Sequence, residues 1–272
     1  MSRDARRSHH RGMRNDDAKT TTAPPTGRRR DRAGWLVPTG LIALAFVPVL
    51  AGAVRLTELA GLDGAAAADA RFAAAPVPIA VHIVTATVYS LVGAFQFSPR
   101  LRRRRLGWHR AAGRVVAGCG LAAALSGVWM TLFSDIPPGD EGLAAVFRLV
   151  FGSAMFAFVV LGLAAVRRRD IRRHRAWMIR AYAIGLGAGT QALTQGVWFA
   201  AYGPPDAFTR ALLMGAGWAI NVAVAEWVIR RGRRRRSARH PFRLVGPHGD
   251  LDPVADAELG HQARDVALDR AQ

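Results

Sequence analysis

Three histidines, one glutamate and a few arginines are the residues of this chain that could do chemistry inside an apolar environment. His82, His109 and His174 sit within or beside long apolar stretches, whereas His9, His10, His240, His248 and His261 lie in polar end regions. His109 and His174 each follow an arginine run, Arg102 to Arg105 and Arg167 to Arg169, which assigns both to the same side of a membrane. Imidazoles from two helices can fill both axial positions of a haem iron. His109 and His174 are therefore candidate ligands of a haem b, with nearby arginines to neutralise its propionates. The alternative is a pair of interfacial histidines bonded to backbone or to lipid phosphate. His82 cannot share their iron, because its helix runs on to Phe97 and spans about 22 Å in between.

A second pattern lies along the residues that follow His82. His82, Thr85, Tyr89, Gly93 and Gln96 recur at intervals of three or four, which puts them on one face of a helix. Polar side chains turned to lipid are expensive, so His82, Thr85, Tyr89 and Gln96 should form a polar seam between helices. Such a seam either lines a path or consists of interhelical hydrogen bonds, worth about 0.6 kcal/mol each. Gln191, Thr194, Gln195 and Trp198 make a second polar stripe, and Arg148 is a further ionisable group in an apolar run. Glu226 lies four residues before Arg230 at the end of another. A carboxylate at that depth needs a cation or a proton. Arg114 and Arg180 are its natural partners, and with Arg110 they define a charge cluster; otherwise these arginines snorkel to the headgroups. No phosphate-binding loop, nucleophile elbow or metalloprotease helix occurs, so no catalytic residue is assigned and the chemistry leans away from an enzyme. The metal content is left open.

These residues are positioned by apolar stretches. One helix needs roughly 20 residues to cross about 30 Å of hydrocarbon. Six stretches meet that requirement: Trp35 to Val54, Val77 to Phe97, Ala111 to Phe133, Leu143 to Val166, Ala176 to Ala200 and Arg210 to Ile229. The fold class expected is all-α, a polytopic bundle of six transmembrane helices.

The formal charge of +19 would point to nucleic acid in a soluble protein. Its placement argues otherwise. Of 38 basic residues, 31 fall in residues 1–34, 98–114, 167–175 and 230–243, while the intervening connections are acidic or nearly neutral. Short basic loops stay in the cytoplasm, so both termini are expected inside, in the cytoplasmic membrane of a bacterium. Anionic lipids at that face are the expected partners, and nucleic acid is not. Oligomeric state is not legible. The single cysteine, Cys119, rules out an internal disulfide and is expected to serve packing.

Residues 1–34 are expected to be a disordered basic cytoplasmic tail, 35–230 the membrane domain, and 231–272 a basic then acidic cytoplasmic tail. Within the last, Val254 to Leu268 could form a short amphipathic helix. Leu62 to Ala75 is alanine-rich and could lie as a helix on the outer surface. Ala51-Gly52-Ala53 resembles a signal cleavage site, but the long polar segment before it favours a retained first span. An internal echo links Trp108-His109-Arg110 and Arg114 to His174-Arg175-Ala176-Trp177 and Arg180. A duplicated helix pair or two similar interfacial loops would each produce it.

Several motifs occur in one order: His82 to Phe95-Gln96-Phe97, Pro99-Arg100-Leu101-Arg102, Trp108-His109-Arg110 with Gly113-Arg114, Asp170-Ile171 with His174-Arg175-Ala176-Trp177-Met178-Ile179-Arg180-Ala181-Tyr182, and Asn221 with Ala225-Glu226-Trp227. Together, over about 77–230, they resemble the bacterial predicted-membrane-protein family labelled domain of unknown function 2306. The resemblance implies an all-helical membrane domain without a settled activity. The polar set it implies is His82, Gln96, His109, Arg110, Arg114, His174, Arg180 and Glu226. One departure is Gly185, Gly187 and Gly189, where the family often has an aromatic or leucine-rich stretch. Glycines there imply close helix contact rather than a bulky cofactor.

Three functions compete on these grounds. The leading one is a haem-b-type electron-transfer module. The second is a small-solute or proton-coupled transporter, with the His82 stripe and the Glu226 cluster as the two ends of its path. The third is a non-catalytic membrane scaffold or sensor.

Overall fold

The computed structural model describes residues 26–61, 76–135 and 142–237. Among the described residues every regular element is helical: α1 (Thr26–Leu59), α2 (Pro76–Gln96), α3 (Pro99–Arg104), α4 (Leu106–Phe133), α5 (Leu143–Arg167), α6 (Ile171–Gly185), α7 (Gly187–Tyr202) and α8 (Ala207–Ser237). The elements expected in 62–75 and 254–268 lie outside the described residues, as do 1–25 and 238–272. α1 begins at Thr26, ahead of the tail boundary expected after residue 34, and α8 continues through the arginine run to Ser237. Arginine is a good helix former, so a helix that leaves the apolar layer continues through such a run at little cost.

Short polar residues set the corners. Ser98 caps α3, accepting from the Leu101 N–H, with Pro99 at the first helical position. Asp170 caps α6, accepting from the Arg173 N–H at 2.9 Å. Before it, α5 ends in a paired turn, with the Asp170 N–H on the Ala165 carbonyl and the Arg169 N–H on that of Val166. That turn needs a left-handed residue, and Arg169 supplies it at φ 58°. Asp206, just ahead of α8, accepts from the Phe208 and Thr209 N–H groups and the Thr209 hydroxyl. These bonds hold its carboxyl below the usual carboxylate range.

The helices close a ring. α1 packs on α2, α2 on α4, α4 on α5, α5 on α6, α6 on α8, α8 on α7, and α7 back on α1. Tyr89, Met155, Tyr182 and Leu186 meet inside it. The contacts are made largely by small residues, including Ala45, Ala94, Ala117, Ala124, Ala181 and Ala225, all nearly fully buried. The large apolar side chains point the other way: Leu36, Phe46, Phe133, Val197 and Phe208 are each more than 60 % exposed. Small residues inside and bulky apolar ones outside is the packing expected when the surrounding medium is lipid.

Among the described residues five helices are long and apolar enough to cross a membrane: Trp35–Leu59 of α1, α2, α4, α5 and Ala207–Arg234 of α8. The fifth expected span, Ala176 to Ala200, is instead two helices, α6 and α7, that break at Leu186. Gly185, Gly187 and Gly189 permit the break by admitting three neighbours: the Tyr89 ring on Gly185, Trp218 on Gly187 and the Leu44 carbonyl on Gly189. Carbonyls released at the break must find donors, because lipid supplies none. α8 provides them. Asn221 Nδ2 donates to the Ala183 carbonyl at 3.0 Å and Trp218 Nε1 to that of Ile184 at 3.2 Å, while Thr190 donates to Asn221 Oδ1 at 2.7 Å.

Candidate functional site

The polar face expected on α2 lies against α4, and each of three side chains there is seated on a glycine. A Cβ at Gly127 would stand 3.3 Å from His82 Cε1; one at Gly120 would stand 2.6 Å from Tyr89 Cε2; one at Gly113 would stand 3.7 Å from Gln96 Oε1. His82, Tyr89 and Gln96 are spaced by seven residues, and so are Gly127, Gly120 and Gly113 in the opposite direction. Two antiparallel helices packed at a shallow angle keep such a seven-residue register in phase. The result is a seam in which polar side chains lie over glycines, and at Gly120 only a glycine leaves room for the ring.

Their hydrogen bonds differ along the seam. His82 Nδ1 donates to the Ala123 carbonyl at 3.0 Å and lies 3.1 Å from Ser126 Oγ, which itself donates to the Ala122 carbonyl. A carbonyl partner requires the proton on Nδ1, so Nε2 carries the free lone pair. Thr85 turns back on its own helix, donating to the Val81 carbonyl, and makes no use of the seam. Tyr89 is 1 % exposed, and its hydroxyl is buried without a hydrogen-bond partner. Its ring is held on the other side by Gly185, where a Cβ would stand 2.5 Å away. Gln96 Nε2 and His109 Nδ1 are likewise buried and unpartnered. Natural proteins leave few such atoms, and each calls for a reason.

His109 and His174 come within electrostatic reach of one another and of Arg102 at the arginine-rich end. The two are not equivalent. His174 Nδ1 donates to the Gly162 carbonyl at 2.8 Å and ties α6 back to α5 across the Arg169 turn. The echo between the two histidine motifs therefore does not extend to their hydrogen bonds. Of the charge cluster, Arg180 and Glu226 come together in a two-pronged pair, Nε to Oε1 at 2.5 Å and Nη2 to Oε2 at 3.0 Å. Arg180 also lies over the Trp177 ring, 4.8 Å from its centroid. Arg110 and Arg114 are exposed on α4 and are not part of this pair. Around Glu226, α8 borders a groove of about 680 Å³ lined by Ala223, Glu226, Trp227, Arg230, Arg231 and Arg234.

Two members of the second polar stripe, Gln191 and Thr194, are absorbed by packing. Gln191 Nε2 donates to the Met214 carbonyl and Thr194 to that of Leu213, so these groups fasten α7 to α8. Cys119 is half-buried on α4. No cluster of three or more His, Cys, Asp or Glu residues suited to a metal ion exists among the described residues. Gly113, Gly120 and Gly127 are the site residues that spacing along one helix does not reveal. The signal for them is a seven-residue glycine period matching, in reverse, the seven-residue polar period of α2.

Comparison with curated proteins and with solved structures finds no match. A family model described as predicted membrane protein, DUF2306, matches residues 79–229, from the start of α2 to the end of the apolar part of α8. That region contains the whole seam, both histidine motifs and the Arg180–Glu226 pair. The chain belongs to the DUF2306 family of predicted membrane proteins.

Proposed function

We propose that this protein is a small-solute or proton-coupled transporter of the bacterial cytoplasmic membrane, with the α2·α4 seam as its path. The observation that carries the reading is the row of buried polar atoms without partners, Tyr89 Oη, Gln96 Nε2 and His109 Nδ1. A scaffold has no use for them, since each unpaired buried group costs about 1 to 3 kcal/mol. In this reading α6 and α7 together make a sixth crossing, and both termini and the arginine runs face the cytoplasm and its anionic lipids. The Arg180–Glu226 pair closes the inner end.

A haem-b electron-transfer module is the second reading, favoured by one observation. His174 donates through Nδ1 to a backbone carbonyl, which leaves the Nε2 lone pair free to ligate. The purified protein separates the two. A transporter is colourless, and its vesicles take up protons or a small polar solute at a rate that Gln96→Leu lowers. A Soret band that shifts on reduction and is lost in His109→Ala and His174→Ala would move the function to electron transfer.

A further inference from the structure

Resting on the reading of the seam as a path, we infer that the species it carries is the proton, and that the Tyr89 hydroxyl is the relay at its centre. The first argument is width. The Tyr89 ring touches Gly120 on one side and Gly185 on the other so closely that even a methyl group would overlap it. A solute larger than water has no room to pass that point.

The second argument is charge. From His82 to Gln96 the seam holds no carboxylate and no cationic side chain, so neither a metal ion nor an anion meets a countercharge there. What it does hold is a series of groups that exchange protons or order water, an imidazole with a free Nε2, a phenol and an amide, and beyond them on α4 stands a second imidazole, His109. The neighbouring phenol, Tyr182, has a ring centroid 5.5 Å from that of Tyr89. Its proton is committed to the Ser90 carbonyl at 2.6 Å, which leaves Tyr89 as the one able to relay.

The step balances without an oxidant. The Tyr89 O–H bond breaks toward a water on one side as a new O–H bond forms from a water on the other, and no electron changes owner. Seven residues of helix rise about 10 Å, so two or three waters at hydrogen-bond spacing of about 2.8 Å are what a wire between successive seam residues requires. For a proton moving inward, His82 Nε2 takes it up at one end and His109 gives it up at the other.

The test uses the full chain in vesicles containing a fluorescent pH dye, with a potassium diffusion potential set by valinomycin. The parent should acidify its lumen faster than protein-free vesicles. Tyr89→Phe should lose that excess, by about a hundredfold for one proton-transfer group. Its melting temperature should equal or exceed the parent's, because the hydroxyl removed has no partner. Gln96→Leu should also lose flux, and Thr190→Val, which breaks a bond remote from the seam, should lower the melting temperature and keep the flux. Parent flux no faster than protein-free vesicles, or Tyr89→Phe flux equal to the parent's, overturns the inference. Solute uptake with no proton flux would overturn it while leaving the transporter reading in place.

Discussion

Tyr89 and Gly120 face each other across α2 and α4 with no space between ring and backbone for a methyl group, a Cβ at Gly120 falling 2.6 Å from Tyr89 Cε2. The ring cannot retreat, because Gly185 supports its other edge at a similar distance. Gly120→Ala is therefore expected to overpack the seam and cost about 1 to 3 kcal/mol. Gly118, two residues away on the same helix, meets nothing within 4 Å. Gly118→Ala should stabilise by about 1 kcal/mol through helix propensity alone. Opposite shifts in detergent melting temperature for these two substitutions are the expected outcome.

Glu226 should depend on Arg180 more than on any other cation. Their side chains are 29 % and 23 % exposed, so water screens part of the interaction. Glu226→Gln is expected to cost about 1 to 3 kcal/mol, less than the full loss of a buried pair. Adding Arg180→Gln should return part of that loss, since removing both partners leaves no uncompensated charge. Melting curves of the two single variants and the double variant measure the coupling.

The break at Leu186 predicts an outsized role for Asn221. Asn221→Ala leaves both the Ala183 carbonyl and the Thr190 hydroxyl without their α8 partner. A cost of about 1 to 3 kcal/mol is expected for such buried groups. Hydrogen exchange should show the loosening first at the α6–α7 junction rather than along the seam.

Asp206 predicts a pH dependence at the opposite end of α8. Its folded carboxyl titrates below the unfolded value because the Thr209 N–H and hydroxyl and the Phe208 N–H bind the ionised form. A depressed carboxyl contributes stability above its unfolded pKa and loses it as pH falls through the folded one. The parent should thus lose more stability than Asp206→Ala on acidification through the carboxylate range, and melting curves of both against pH would show the two converging.

Much of this arrangement is legible along a single helix. The three- and four-residue spacing from His82 to Gln96 identifies the buried face of α2, and the depth of Glu226 calls for a cation that Arg180 provides. Relations between helices are less visible. The glycines of α4 become meaningful only once the antiparallel phase of α2 and α4 is known, and the turn from Phe97 to Arg105 sets that phase. The break at Leu186 is hidden because Ala176 to Ala200, despite Arg180 and Gln191, is long and apolar enough to read as one span, and the groups that repair it, Trp218 and Asn221, are more than 30 residues away. Thr85 shows the converse. Its spacing places it with the seam, yet a threonine hydroxyl can bond its own helix and here does so.

The most direct measurement is the hydration of Tyr89 in a lipid bilayer. The chain has three tyrosines, Tyr89, Tyr182 and Tyr202, so tyrosine labelled with carbon-13 at Cζ gives three solid-state NMR signals, assignable by Tyr→Phe substitution. Magnetisation transferred from water should reach Tyr89 quickly and Tyr182 slowly, although both rings are nearly fully buried. A Tyr89 signal as dry as that of Tyr182 would contradict a hydrated path along the α2·α4 seam.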